Sequence, residues 1–191
     1  MTHNLSGKNI AILIANGFVQ SDVVAAQRMF QEAKASVKLI SSENGLVNGW
    51  EGKSWGHHFA ADIPLSKALA ADFDMVIIPG GAAHVEKLLK TEHTKRFINS
   101  FMRAQKVIVA FSDGLKVLVE TGMLRGYEVS APEHLVSDMS GEGATISTEV
   151  ICADDHLITT SLSGENQLDV YAMACQAVID SEMDMEVTQA A

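Results

Sequence analysis

Residues 107–114 read V-I-V-A-F-S-D-G, five apolar residues that stop at a serine, an aspartate and a glycine. A buried strand that breaks into a helix at such a point presents one side chain at its tip, which makes Ser112 the candidate nucleophile. A serine hydroxyl needs a positioned base before it attacks anything. Asp113 is the nearest, but neighbours on a tight elbow point apart, and an ordinary carboxylate is a weak base near neutral pH. The other bases are His57, His58, His84, His93, His134 and His156. Of these, His84, just after P-G-G-A-A, and the pair His57-His58 stand best placed to reach a pocket. Two neighbouring histidines on a strand face opposite ways, so His57 and His58 would not chelate one metal together. Gly80 and Gly81 follow an apolar run directly, which suits close backbone approach, either for a turn or for a bound anion. If no base arrives, Ser112 and Asp113 have a plainer role as caps of the helix that follows.

The elements that would hold these residues are legible in the apolar spacing. Residues 8–14 form a strand broken by Asn16-Gly17, and Val23, Ala26, Phe30 and Ala33 then recur at helical spacing. A second strand covers 36–41, and the Gly-, Asn- and Trp-rich stretch 42–62 reads as turns with short strands. The pattern predicts a helix over 64–71, a strand over 74–78, helices over 85–89 and 94–104, and a strand over 106–111. A helix over 115–121 ends at Gly122, placed like a C′ glycine. Short strands and a short helix share 127–160. Leu168, Tyr171, Ala172, Cys175 and Ile179 mark a last amphipathic helix. With no repeat or linker, one domain over 1–181 is expected, followed by a flexible tail, 182–191. Trp50 and Trp55 read as packing residues.

Continuous apolar strands, each followed by a helix, indicate an α/β sandwich with a mostly parallel sheet covered on both faces. Ligands of such sheets sit at the carboxyl ends of the strands. Three breaks fall there: N-G-F, P-G-G-A-A and S-D-G.

Composition removes several function classes. The chain has 191 residues and a formal charge of −10, with Lys and Arg scattered, so nucleic acid and anionic membrane surfaces are poor partners. Its apolar runs are strand-sized, far below the roughly 20 residues of a membrane span. The N-terminus carries no pattern of a secretory signal, and a cytoplasmic location is expected. Cys152 and Cys175 lack metal-type spacing and read as two buried, reduced thiols. Neither a metal nor a cofactor is called for by any motif.

The ordered motifs carry a resemblance. D-F-D-M-V-I-I-P-G-G, then K-V-I-V-A-F-S-D-G-L-K-V-L-V-E-T-G-M-L-R-G-Y-E-V-S, resembles the ThiJ/PfpI branch of the class I glutamine amidotransferase-like superfamily. D-D-H-L-I-T-T-S and G-W-E-G-K-S-W-G-H-H-F-A-A-D extend the likeness over nearly the whole chain. The resemblance implies a flavodoxin-like sandwich, a homodimer, and a cysteine on a strained strand-to-helix elbow. Its thiolate attacks a carbonyl while backbone N–H groups hold the oxyanion. Here Ser112 stands at the cysteine position and Asp113 at that of the following histidine. Val19 falls where the supporting glutamate is expected.

These replacements lead to the expectation of a catalytically degenerate member, keeping a small-molecule-binding or structural role at the elbow. Ser112, Asp113 with its backbone N–H, Gly80, Gly81, Val19 and His84 would line that pocket. The family label would be intracellular protease or amidase. One alternative is a serine-dependent hydrolase or amidase using Ser112. A stress-response glyoxalase or deglycase is another, disfavoured because that chemistry needs the missing thiol.

Overall fold

The apolar runs pair edge to edge in a computed structural model that describes residues 4–189, with side chains described through Ser181. In chain order the elements are β1 (Asn9–Ile14), β2 (Phe18–Val19), α1 (Gln20–Glu32), β3 (Ser36–Ser41), β4 (Leu46–Trp50), β5 (Trp55–Ala60) and β6 (Ile63–Pro64). Then come β7 (Met75–Ile78), α2 (Ala82–Leu88), α3 (Glu92–Arg103), β8 (Val107–Phe111), α4 (Lys116–Val119), β9 (Glu128–Val129) and α5 (Val136–Gly141). The last are β10 (Thr145–Ile146), β11 (Ile151–Asp154), β12 (Leu157–Thr160) and α6 (Gln167–Gln189).

Seven strands form one sheet in the order β11-β12-β8-β7-β1-β3-β6, parallel except where β11 pairs antiparallel with β12. The expected α/β sandwich with a mostly parallel sheet is therefore the observed one. Alternation along the strands divides the core in two. Ile10, Ile12, Met75, Ile77, Val109 and Phe111 face α1 and α6, where Phe30 and Phe111 each lie 5.4 Å from the Tyr171 ring. Ala11, Leu13, Val76, Ile78, Ile108 and Ala110 face the opposite layer, built on Phe97, Phe101 and Leu118. Each fully buried aromatic contributes about 1.5–3 kcal/mol by removal from water, so both layers are anchored against the same strands.

Three expectations change. The helix over 64–71 is absent: Leu65 N–H donates to the Ser41 carbonyl at 2.7 Å and Asp62 N–H to that of Leu39 at 2.8 Å, so pairing with β3 overrides local propensity. Only a 3-10 turn, Ala70–Asp72, remains helical there. On the last helix the buried stripe is Val170, Tyr171, Ala174, Cys175 and Val178, whereas Leu168 is 69% exposed. The stripe is shifted because the helix begins in contact with α1 through its Gln167 and Tyr171 side chains. Residues 182–189 of the expected tail continue that helix, and 190–191 lie outside the described residues.

Among the described residues no helix is long and apolar enough to cross a membrane. Both cysteines are buried free thiols, and burial pushes Cys175 up to about 11 and raises Cys152. Neither is a ready nucleophile.

Candidate functional site

β8 ends at Phe111, and the chain turns at once into the 3-10 segment Ser112–Leu115 that leads into α4. Ser112 takes φ 45°, a left-handed conformation unusual for a side-chain-bearing residue. The turn is tight because its neighbour must fit under another strand. A Cβ on Gly114 would stand 2.7 Å from the Pro79 carbonyl oxygen and 2.8 Å from that of Ile78. Only glycine allows the elbow to lie against the end of β7.

The other two breaks reach the same place. Val19 N–H donates to the Gly80 carbonyl at 2.9 Å. Gly81 adopts φ 119°, and a Cβ there would meet the Gly17 carbonyl oxygen at 2.4 Å. N-G-F, P-G-G and S-D-G therefore meet at the carboxyl edge of β1, β7 and β8.

Asp22, on the first turn of α1, holds this junction from behind. It is fully buried, and its carboxylate accepts from Gly80 N (3.1 Å), Gly164 N (2.8 Å), Gln167 Nε2 (3.3 Å) and the Ser163 hydroxyl. The Tyr171 hydroxyl donates to its backbone carbonyl at 2.6 Å. Burial raises the Asp22 pKa, and these four donors only partly oppose the shift. Since Gly80 N–H is engaged by Asp22, it is not a free donor for a ligand. Sequence reading missed Asp22 and placed the supporting position at Val19. The available signal was an acidic residue immediately beside the apolar stripe Val23, Ala26, Phe30.

In front of the elbow stands a different carboxylate. Asp113 is half-buried and its Oδ1 pairs with His134 Nε2 at 2.9 Å. His134 comes from the 3-10 turn Glu133–Leu135 and is largely exposed. Asp113 caps no helix, nor does Ser112: neither α4 nor the turn before it has a side-chain cap. Ser112 is half-buried, and among the described residues its hydroxyl has no hydrogen-bond partner.

The histidines expected nearest the pocket lie elsewhere. His84 has no exposed surface; its Nδ1 accepts from Ala15 N at 2.9 Å, and burial pushes its pKa down to about 3. It is a neutral core residue beneath the loops, joining α2 to the end of β1. On β5, His57 accepts from Gln20 Nε2 at 2.9 Å, while His58 pairs with Asn48. Gln20 is the hub of that cluster: its Oε1 also receives His57 N–H at 2.6 Å, and its amide reaches Glu51. A Cβ on Gly49 or Gly56 would stand within 2.8 Å of the Gln20 amide oxygen, so both glycines make room for it. Trp50 and Trp55 pack edge to face at 5.4 Å. Val19, Val24, Trp50, Glu51 and Ser163 then line a groove of about 520 Å³ beside the elbow.

The elbow, the glycine turn beside it and the parallel sheet agree with the sequence comparison, in which residues 8–170 match the DJ-1/PfpI family. The chain belongs to the DJ-1/PfpI family. It is 27% identical over 156 residues to General stress protein 18 of Bacillus subtilis, covering 81% of this chain and 88% of that one. Protein/nucleic acid deglycase 2 of Escherichia coli is 26% identical over 156 residues, covering 80% and 88%. Among solved structures, a two-domain protein from Anabaena variabilis with DJ-1/ThiJ/PfpI-like and ferritin-like domains superposes with TM-score 0.74 at 29% identity. That match covers 80% of this chain and 43% of the two-domain chain. A ThiJ/PfpI domain protein from Brachyspira murdochii gives TM-score 0.81 at 19% identity, covering 91% and 99%, which shows the shared fold. Within this DJ-1/PfpI frame, the chain presents a hydroxyl at the elbow, one carboxylate behind it and one in front.

Proposed function

We propose that this DJ-1/PfpI protein is catalytically degenerate and keeps its elbow as part of a small-molecule-binding surface. One observation carries the reading: the Ser112 hydroxyl sits on the strained turn without a hydrogen-bonded base, while the imidazole closest in chemistry, His134, is held by Asp113. A hydroxyl without a base is a poor nucleophile near neutral pH. A carboxylate in front of the turn also opposes the negative charge of an oxyanion. The ligand would contact the Ser112 and Asp113 side chains, with Gly81 and Val19 at the rim and the Trp50 groove adjacent.

The test is a serine-reactive fluorophosphonate probe followed by peptide mass spectrometry. No adduct at Ser112 is expected. An adduct that disappears in His134→Ala would overturn the reading in favour of a serine-dependent hydrolase or amidase. That second reading has one observation behind it, the 2.9 Å contact that brings an imidazole to the residue after Ser112. A glyoxalase- or deglycase-like activity, which the name of the Escherichia coli relative suggests, has less support, since no thiol stands at the elbow.

A homodimer and a cytoplasmic location belong to the same proposal. Val24, Trp55 and Leu162 are exposed apolar residues at or next to the Trp50 groove, and a second copy would cover them. Sedimentation equilibrium would return a monomer if this part is wrong.

A further inference from the structure

At the other end of the sheet, where β8 and β12 begin, lies a second cavity of about 350 Å³. This is within the size range of small-ligand sites, roughly 300–1,000 Å³. It opens between the turn that joins β11 to β12 and the outer side of α6, and none of the elbow residues lines it. Its polar wall is built from Asp155, His156 and Asp180, and its apolar wall from Val107, Ala153 and Met173.

His156 is the unusual member. Only 5% of it is exposed, and its Nδ1 lies 3.1 Å from Asp155 Oδ2. A carboxylate only accepts, so Nδ1 carries the hydrogen and the Nε2 of the neutral ring is left as a lone pair. That Nε2 is buried and has no partner among the described residues. The ring is braced edge-on by Tyr127, with centroids 5.5 Å apart and planes at 88°. Buried unpaired polar atoms cost of order 1–3 kcal/mol, and each one in a native structure calls for an explanation. Here the missing partner would be a donor.

We propose that this cavity binds a small organic cation, a primary ammonium or guanidinium group on a short apolar stem. The charged head would donate to His156 Nε2 and to the carboxylates of Asp155 and Asp180, and the stem would lie on Val107, Ala153 and Met173. No lysine or arginine lines the cavity, and the net charge of −10 adds a field that attracts cations. A metal ion is the less suitable occupant, since among the described residues no three His, Cys, Asp or Glu side chains are grouped to hold one. The site is independent of the elbow and of the function proposed for it.

Titration calorimetry of the full chain at low ionic strength with agmatine as the probe tests the proposal. Saturable binding is expected, with none for 1-butanol, which keeps the stem and lacks the charge. Affinity is expected to fall about tenfold or more in Asp155→Asn/Asp180→Asn, where two charge-assisted contacts become neutral. Both positions are exposed, and asparagine tolerates the φ of 54° at Asp155, so this variant should fold as the parent does. His156→Phe retains the ring contact with Tyr127, removes the lone pair and is expected to weaken binding similarly. Absence of saturable agmatine binding would overturn the proposal. So would binding that is unchanged in the double variant, or binding that survives in folded His156→Phe. If His156→Phe does not fold, the double variant decides.

Discussion

Two aspartates flank the elbow, and their surroundings make them opposite kinds of residue. Asp22 is wholly enclosed and receives four donors, two of them backbone N–H groups from separate loops. Asp113 is open to solvent on one side and has a single exposed imidazole as partner. A carboxylate surrounded by donors fixes the parts that supply them, because withdrawing it leaves several buried groups unsatisfied at once. One whose partner is exposed can exchange that partner for water or a ligand at little cost. The back of the elbow is therefore framework and the front is available surface.

Substitutions scale with that contrast. Asp22→Ala is expected to cost about 3 kcal/mol or more, read by urea denaturation, since it strands Gly80 N, Gly164 N and the Ser163 hydroxyl. A loss no greater than that of a surface substitution would break the distinction between back and front.

Acid titration gives the next largest effect. The folded-state pKa of His84 is depressed from 6.5 to about 3, so its contribution is fully present above 6.5 and is lost as pH falls from 6.5 toward 3. The slope is about 1.4 kcal/mol per pH unit for one proton. His84→Gln, which can still accept from Ala15 N, should remove that slope in pH-dependent denaturation. Asp22 works in the other direction. Its pKa is raised in the folded state, so it withdraws stability as pH rises above 3.8 and stops doing so once the folded-state pKa is passed. Asp22→Asn should abolish this descending part.

At the turn itself, Ser112→Gly is expected to be between neutral and about 1 kcal/mol more stable, because glycine accepts φ 45° freely but loosens the unfolded chain. Ser112→Val should be less stable by about 1–2 kcal/mol, since a β-branched residue tolerates that φ poorly. Equal melting temperatures for the two would show that the turn is unstrained. The smallest effect belongs to His134→Ala, within about 1 kcal/mol, as for other exposed ion pairs. A larger loss would move Asp113 into the framework class with Asp22.

What the sequence revealed follows the range of the interactions involved. The buried strands are continuous apolar runs, so the parallel sheet, its two coverings and the meeting of three loops at one edge could be read directly. The elbow was visible because serine, aspartate and glycine interrupt such a run. Asp22 was not, since its partners Ser163 and Gly164 lie more than 140 residues along the chain. His84 looked like a pocket residue because it follows the glycine turn. What buries it is Ala15 N–H, at the end of a different strand. The stretch at 64–71 had helical composition and yielded to hydrogen bonds with β3.

The link between Asp22 and Gly164 also bears on how the protein is made. Asp22 emerges from the ribosome early, as part of α1, while β12, the 163–164 turn and α6 come last. Until they arrive, β8 lacks its outer neighbour and the Asp22 carboxylate lacks three of its four side-chain-accepted bonds. Long-range parallel pairing is slow because a large loop must close first. The glycine turn and elbow would thus set only after release of the C-terminal segment. A nascent chain stalled before residue 163 should carry an open, protease-sensitive first half and no finished site.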